Sequence, residues 1–184
     1  MFKQIFTITA LIAMTSCQSI EPREGVEVTK VKVPEVTESH DIAYEQVIYI
    51  KSTKEKIWNA LTKADIISKY YMCPVQSIGS KKGEGISFGD KGETFISGKI
   101  LDIEINTKFS HSFKFKQSDS EAKNDESTIV TYELFDDHGL IVLVLTHSGF
   151  KEENETYRNI TGGWPYILSN LKTYLETGKT LTEK

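Results

Sequence analysis

Apolar and polar residues alternate with two different periods along this chain, and the change of period divides it. Phe109, His111, Phe113 and Phe115 alternate with Ser110, Ser112, Lys114 and Lys116. In an extended chain successive side chains point to opposite faces, so 109–116 predicts a half-buried strand. Ile42, Tyr44, Ile48 and Ile50 repeat this spacing over 42–51. Apolar runs punctuated by glycine predict further strands at 86–88, 94–105, 128–135 and 140–147. Asp90-Lys91-Gly92 and Asp136-Asp137-His138-Gly139 are turn signals, and Gly98 predicts a bend. The run 140–147 is nearly all apolar, which predicts a central, well-covered strand.

A helical period takes over near the C-terminus. Trp164, Ile167, Leu168, Leu171, Tyr174 and Leu175 fall on one face of a helix over 162–178. Gly162 and Gly163 break what precedes, Pro165 suits a first turn, and Gly178 suits a left-handed stop. Polar residues 152–161 predict a short helix or lid. Ser52 with Glu55 three residues later fits a capping box opening a helix with Ile57, Trp58 and Leu61 on one side. A second short helix over 65–71 ends before Pro74. Residues 117–127 are polar and acidic, a loop. The stripe of the last helix needs a broad apolar partner, and the strands supply it. The expectation is an α+β fold, with a curved antiparallel sheet, two short helices after the first strand and one long C-terminal helix across the sheet.

Composition narrows the function classes. The 184 residues suffice for one domain with a real core. A net charge of −4 gives no electrostatic basis for nucleic-acid binding. Two cysteines imply no disulfide framework. The four histidines, His40, His111, His138 and His147, are widely spaced, with no His-x-x-x-His or Cys-x-x-Cys pattern. No metal site and no cofactor is expected.

The N-terminus carries Lys3 and then an apolar run over 5–14, too short to span a bilayer, which takes ~20 residues. Met14-Thr15-Ser16-Cys17 follows. Small residues before a cysteine resemble the bacterial lipoprotein signal, in which the cysteine is lipidated and becomes the new N-terminus. That resemblance implies a signal segment over 1–17 with Cys17 as the lipidation site, a cell-envelope location facing the periplasm or exterior, and a membrane contact through the lipid. Plain secretion is the alternative. Residues 18–39, charged and carrying Pro22 and Pro34, read as an extended tether, and 40–184 as the folded domain.

Several local matches carry a further resemblance. Ile57-Trp58-Asn59-Ala60-Leu61-Thr62, Gly98-Lys99-Ile100-Leu101, Leu145-Thr146-His147-Ser148-Gly149-Phe150 and Gly163-Trp164 with Leu168 and Leu171 occur in this order. Over 42–181 the chain resembles the SRPBCC superfamily, the START/Bet v 1-like helix-grip fold, and within it the activator of Hsp-90 ATPase-like branch. The resemblance implies a ligand site between the long helix and the concave sheet. None of these motifs is a catalytic signature, and a fold alone does not fix a function.

Within that frame Trp58, Phe88, Phe95, Phe113, Phe115, Tyr132, Trp164, Leu168 and Leu171 are candidate walls of a pocket for a small apolar or amphipathic molecule. Plain core packing is the other reading of each. His147 ends an apolar strand and is a candidate ligand-orienting donor or general base; His111 alternates with phenylalanines and faces the same choice. For both, a structural histidine satisfied inside the core is the competing reading. No carboxylate is placed beside either by sequence, so no catalytic pair is assigned. Cys73, before Pro74, reads as a small half-buried residue. Three functions follow: a tethered binding domain, a cyclase- or hydrolase-like enzyme using a pocket histidine, or a co-chaperone-like interaction module.

Overall fold

The computed structural model describes residues 42–182. The signal segment 1–17 with Cys17, the tether 18–39 and the start of the domain at His40 lie outside the described residues. The strands are β1 (Ile42–Ile50), β2 (Val75–Ile78), β3 (Gly85–Asp90), β4 (Glu93–Glu104), β5 (Lys108–Phe115), β6 (Thr128–Asp137) and β7 (Leu140–Phe150). The helices are α1 (Lys54–Thr62), α2 (Ala64–Tyr70) and α3 (Glu155–Thr177). The strands form one antiparallel sheet in the order β1-β7-β6-β5-β4-β3-β2. This is the expected curved sheet with a long C-terminal helix and two short helices after the first strand. Register shifts interrupt β2 against β3, β3 against β4, and β4 against β5. Bulges of this kind bend and twist a sheet. At Gly98 in β4 an added Cβ would meet the Ser112 carbonyl oxygen at 1.8 Å, so only glycine allows β4 and β5 to approach there.

The two-residue turns are as the sequence reads them. Lys91 and Gly92 have φ of 50° and 85°, and His138 and Gly139 have φ of 48° and 84°. Positive φ at both central residues matches the twist of a hairpin. Strand β2 and a short 3-10 helix at Glu121–Asn124 were not expected. Both lie in polar stretches where local pattern is weak.

Four expectations need correction. The long helix starts at Glu155, so Gly162, Gly163 and Pro165 lie inside it. Its true start signal is Asn154, whose side-chain oxygen accepts from the Tyr157 N–H at 2.9 Å. Buried Thr156 and Ile160 continue the stripe backwards from Trp164. Pro165 leaves the Thr161 carbonyl without its usual helical donor, and burial of Trp164, Ile167, Leu168 and Leu171 outweighs that cost, at about 1.5–3 kcal/mol per large apolar side chain. Gly178 does stop the helix, at φ 76°. Second, α1 is capped by Thr53, whose hydroxyl accepts from the Lys56 N–H at 3.2 Å; the Ser52 hydroxyl is buried with no partner among the described residues. Third, residues 152–161 form no separate lid, since 155–161 are the first two turns of α3. Fourth, β7 is covered on one face only. Its alternate residues Val142 and Val144 are half-buried, beside exposed Val47, Tyr49 and Phe135.

Helices α1, α2 and α3 gather on the concave face, where Ile57, Trp58, Leu61, Ile67 and Tyr70 join the α3 stripe against the sheet. Asn170, buried in α3, donates to the Tyr70 carbonyl at 2.7 Å and accepts from the Leu181 N–H at 2.8 Å, tying α2 and the C-terminal tail to the helix. Near its end Glu176 accepts from the Lys51 N–H at 2.7 Å and from Lys172 at 2.6 Å. These bonds fix α3 against β1, so its first half is held across β4 and β5.

Candidate functional site

A cavity of about 600 Å³ lies where the first half of α3 crosses the sheet. Its volume suits a drug-sized molecule. The sheet contributes Phe95 and Ile96 from β4 and Phe113 and Phe115 from β5; α3 contributes Ile160, Trp164 and Ile167. Tyr71, Met72 and Cys73 close one side from the segment between α2 and β2. Gln117 and Ser120, after β5, and Asn159, on α3, supply polar side chains.

Only four of the expected wall residues line this cavity: Phe95, Phe113, Phe115 and Trp164. Of the other expected residues, Trp58, Phe88, Tyr132, His147, Leu168 and Leu171 are buried in the core and are not among the residues that line this cavity. Phe88 acts from behind, stacked on Tyr71 with ring centroids 4.7 Å apart. Tyr132 meets Trp164 edge-on at 6.2 Å, and Trp58 meets Phe109 edge-on at 6.3 Å. Met72, Gln117, Ser120, Asn159 and the Gly162-Gly163 pair line the cavity without being among the residues expected from sequence. The signal for the glycines was present: glycine inside an apolar helical stripe costs stability without supplying a side chain.

His147 has no exposed surface and both ring nitrogens are committed. The Trp164 Nε1–H donates to His147 Nδ1 at 3.0 Å. Nδ1 is therefore the acceptor nitrogen and the proton sits on Nε2, which donates to Thr128 Oγ1 at 2.7 Å. The Thr128 hydroxyl in turn donates to the Phe113 carbonyl at 3.3 Å. This relay links α3, β7, β6 and β5, and it aims the Trp164 ring at the cavity. Burial, with neighbouring His111 adding to it, pushes His147 down to about 3. His111 donates from Nδ1 to the Ser112 carbonyl at 2.8 Å and packs beside Phe109 and Tyr132. Burial takes it down to about 4, against the opposing pull of that carbonyl. Both histidines are neutral at pH 7, and neither lines the cavity. Among the described residues no group of three or more His, Cys, Asp or Glu is placed to hold a metal ion.

The cavity wall carries a measurable stability cost. An added Cβ at Gly162 would meet nothing within 4 Å, so no packing reason keeps glycine there. Gly162→Ala is expected to raise the unfolding free energy by about 0.5–1 kcal/mol in urea titration. A destabilising effect would mean that the helix needs glycine's backbone freedom at this point.

Comparison with known proteins agrees with this architecture. The solution structure of the Aha1 dimer from Colwellia psychrerythraea superposes with a TM-score of 0.61 at 24% identity, covering 75% of this chain and 98% of that one. An HSP90 activator from Plasmodium falciparum gives a TM-score of 0.60 at 20% identity, covering 73% of this chain and 96% of that one. At these identities the likeness is one of fold. No curated protein matches the sequence significantly. The family described as "Activator of Hsp90 ATPase homolog 1-like protein" matches over residues 51–176, more than half of the chain. The chain therefore belongs to the activator of Hsp90 ATPase homolog 1-like family, with the SRPBCC helix-grip fold of a ligand-binding or co-chaperone-like domain.

Proposed function

We propose that this protein is an envelope-tethered binding domain that holds a small apolar or amphipathic molecule between α3 and the sheet. The observation that carries the reading is the cavity itself, about 600 Å³, walled by Phe95, Phe113, Phe115 and Trp164 at the helix–sheet seam. A lipid on Cys17, with 18–39 as spacer, would hold the domain at the membrane. Native mass spectrometry of the purified full chain tests the pocket, with a co-purifying small molecule expected; a uniformly empty protein that also takes up no added amphiphile sinks it. Cys17→Ala tests the tether, by moving the protein from the membrane fraction to the soluble one.

The enzyme reading has less support. His147 spends both nitrogens on the core relay, and His111 lies off the cavity. An interaction module has one observation in its favour, the outer-face row of Val47, Tyr49 and Phe135, each about half exposed. On that reading Tyr49→Lys removes a partner or self-association contact visible by sedimentation velocity, and an unchanged profile counts against it.

A further inference from the structure

The polar groups around the cavity are unevenly committed, and from their placement we infer that its ligand is an uncharged amphiphile with a hydroxyl, ester or amide end. This rests on the cavity being a binding site. None of the lining residues is Asp, Glu, Lys, Arg or His. A carboxylate or ammonium entering the cavity would lose hydration and gain no partner of opposite charge. The positive end of α3 offers none either. Two N–H groups of its first turn are already taken, Thr156 by the Asp125 carboxylate at 2.6 Å and Tyr157 by Asn154 at 2.9 Å.

The polar atoms nearest the aromatic wall are spent. The Trp164 N–H is held by His147, and the Tyr166 hydroxyl is paired with Thr182 Oγ1 at 2.9 Å. In contrast, the side chains of Gln117, Ser120 and Asn159 make no hydrogen bond among the described residues. They offer two amides and a hydroxyl, both donors and acceptors and all uncharged. Asn159 lies eight residues before Ile167, about 12 Å along a helix axis. A neutral polar end on the Gln117–Ser120–Asn159 rim thus leaves that length of apolar wall for the body of the ligand. A hydroxyl or amide exchanges water for these side chains at little net cost, whereas an ion does not.

The test uses the full chain and three ligands of equal length, 1-decanol, decanoate and decylammonium, below their micelle concentrations at pH 7.5. Binding is followed by the change in tryptophan fluorescence, to which Trp164 in the cavity wall responds while Trp58 lies off the cavity. Decanol is expected to bind at least tenfold more tightly than either ion. A Gln117→Leu, Asn159→Leu double variant, altered only at partly or fully exposed positions, should lose at least threefold in decanol affinity with its melting temperature unchanged. Binding of either ion as tightly as decanol overturns the inference and leaves the binding role standing. Undiminished decanol binding by the double variant overturns the rim as the polar end. Absence of binding by all three ligands overturns the cavity as a binding site.

Discussion

His147→Leu is expected to lower the unfolding free energy by about 2–4 kcal/mol, a large part of the stability of an ordinary domain. Leucine has nearly the volume of histidine, so the loss is not chiefly one of packing. It leaves the Trp164 N–H without its acceptor and the Thr128 hydroxyl without its donor, both in the core. The orphaned indole N–H costs about 1–3 kcal/mol, and Thr128, which keeps its bond to the Phe113 carbonyl, loses one hydrogen bond at about 0.5–1.5 kcal/mol. His147→Gln, which keeps an amide donor and acceptor, should lose less. Removing Trp164 and His147 together, as Trp164→Phe with His147→Leu, should cost less than the sum of the single losses by about 1–3 kcal/mol, because neither the indole N–H nor the imidazole Nδ1 is then left behind without the other. Urea unfolding followed by circular dichroism measures the wild type, both His147 variants, Trp164→Phe and the double variant. Strict additivity within about 0.5 kcal/mol would show that the relay is not an energetic unit. A catalytic histidine would behave otherwise, giving a stable fold with a lost activity.

How much of this was legible in the sequence depends on how local the signal is. The alternation at Phe109, His111 and Phe113 placed all three inward, and the structure buries all three. Hairpin turns at Lys91-Gly92 and His138-Gly139 could be read because only a few residue types tolerate positive φ there. The start of α3 is not legible because Gly162-Gly163 and Pro165 are strong local breakers, while the buried stripe through Thr156 and Ile160 overrides them by tertiary packing. The cavity was the least legible feature. Side-chain parity tells inside from outside, but not whether an inward residue meets atoms or open space. Phe88 and Phe113 read alike in sequence, yet only Phe113 reaches the cavity, because the gap depends on where α3 lies over β4 and β5. The relay was equally hidden, since His147 finds its partners 17 and 19 residues away, on a different helix and strand.

The same two histidines should make the protein acid-labile well above the range where carboxylates titrate. Stability is expected to fall by roughly 4 kcal/mol between pH 6.5 and 4.5. Burial, the dominant cause for both, takes His111 down to about 4 and His147 down to about 3, while an unfolded histidine titrates near 6.5. Above pH 6.5 both states are largely neutral, and the full contribution of the neutral core is present. As pH falls below 6.5 the unfolded chain takes up two protons that the folded one refuses, so the equilibrium shifts toward unfolding. The slope approaches about 2.7 kcal/mol per pH unit for the pair, and it flattens only as the folded values near 4 and 3 are reached. Glu84, Glu93, Asp102 and Glu176 are also held low, by hydrogen bonds from the Ser80 backbone, the Ser118 backbone, Lys108 and Lys172 respectively. Their contributions are present above the ordinary carboxylate range and are lost only below it, so the window from 6.5 to 4.5 belongs to the histidines. Urea titrations at half-unit pH steps should show this fall, and His111→Leu should roughly halve its slope. A flat profile across the window would mean that the folded protein opens to protonate these rings without unfolding, and the relay would then be far softer than its burial implies.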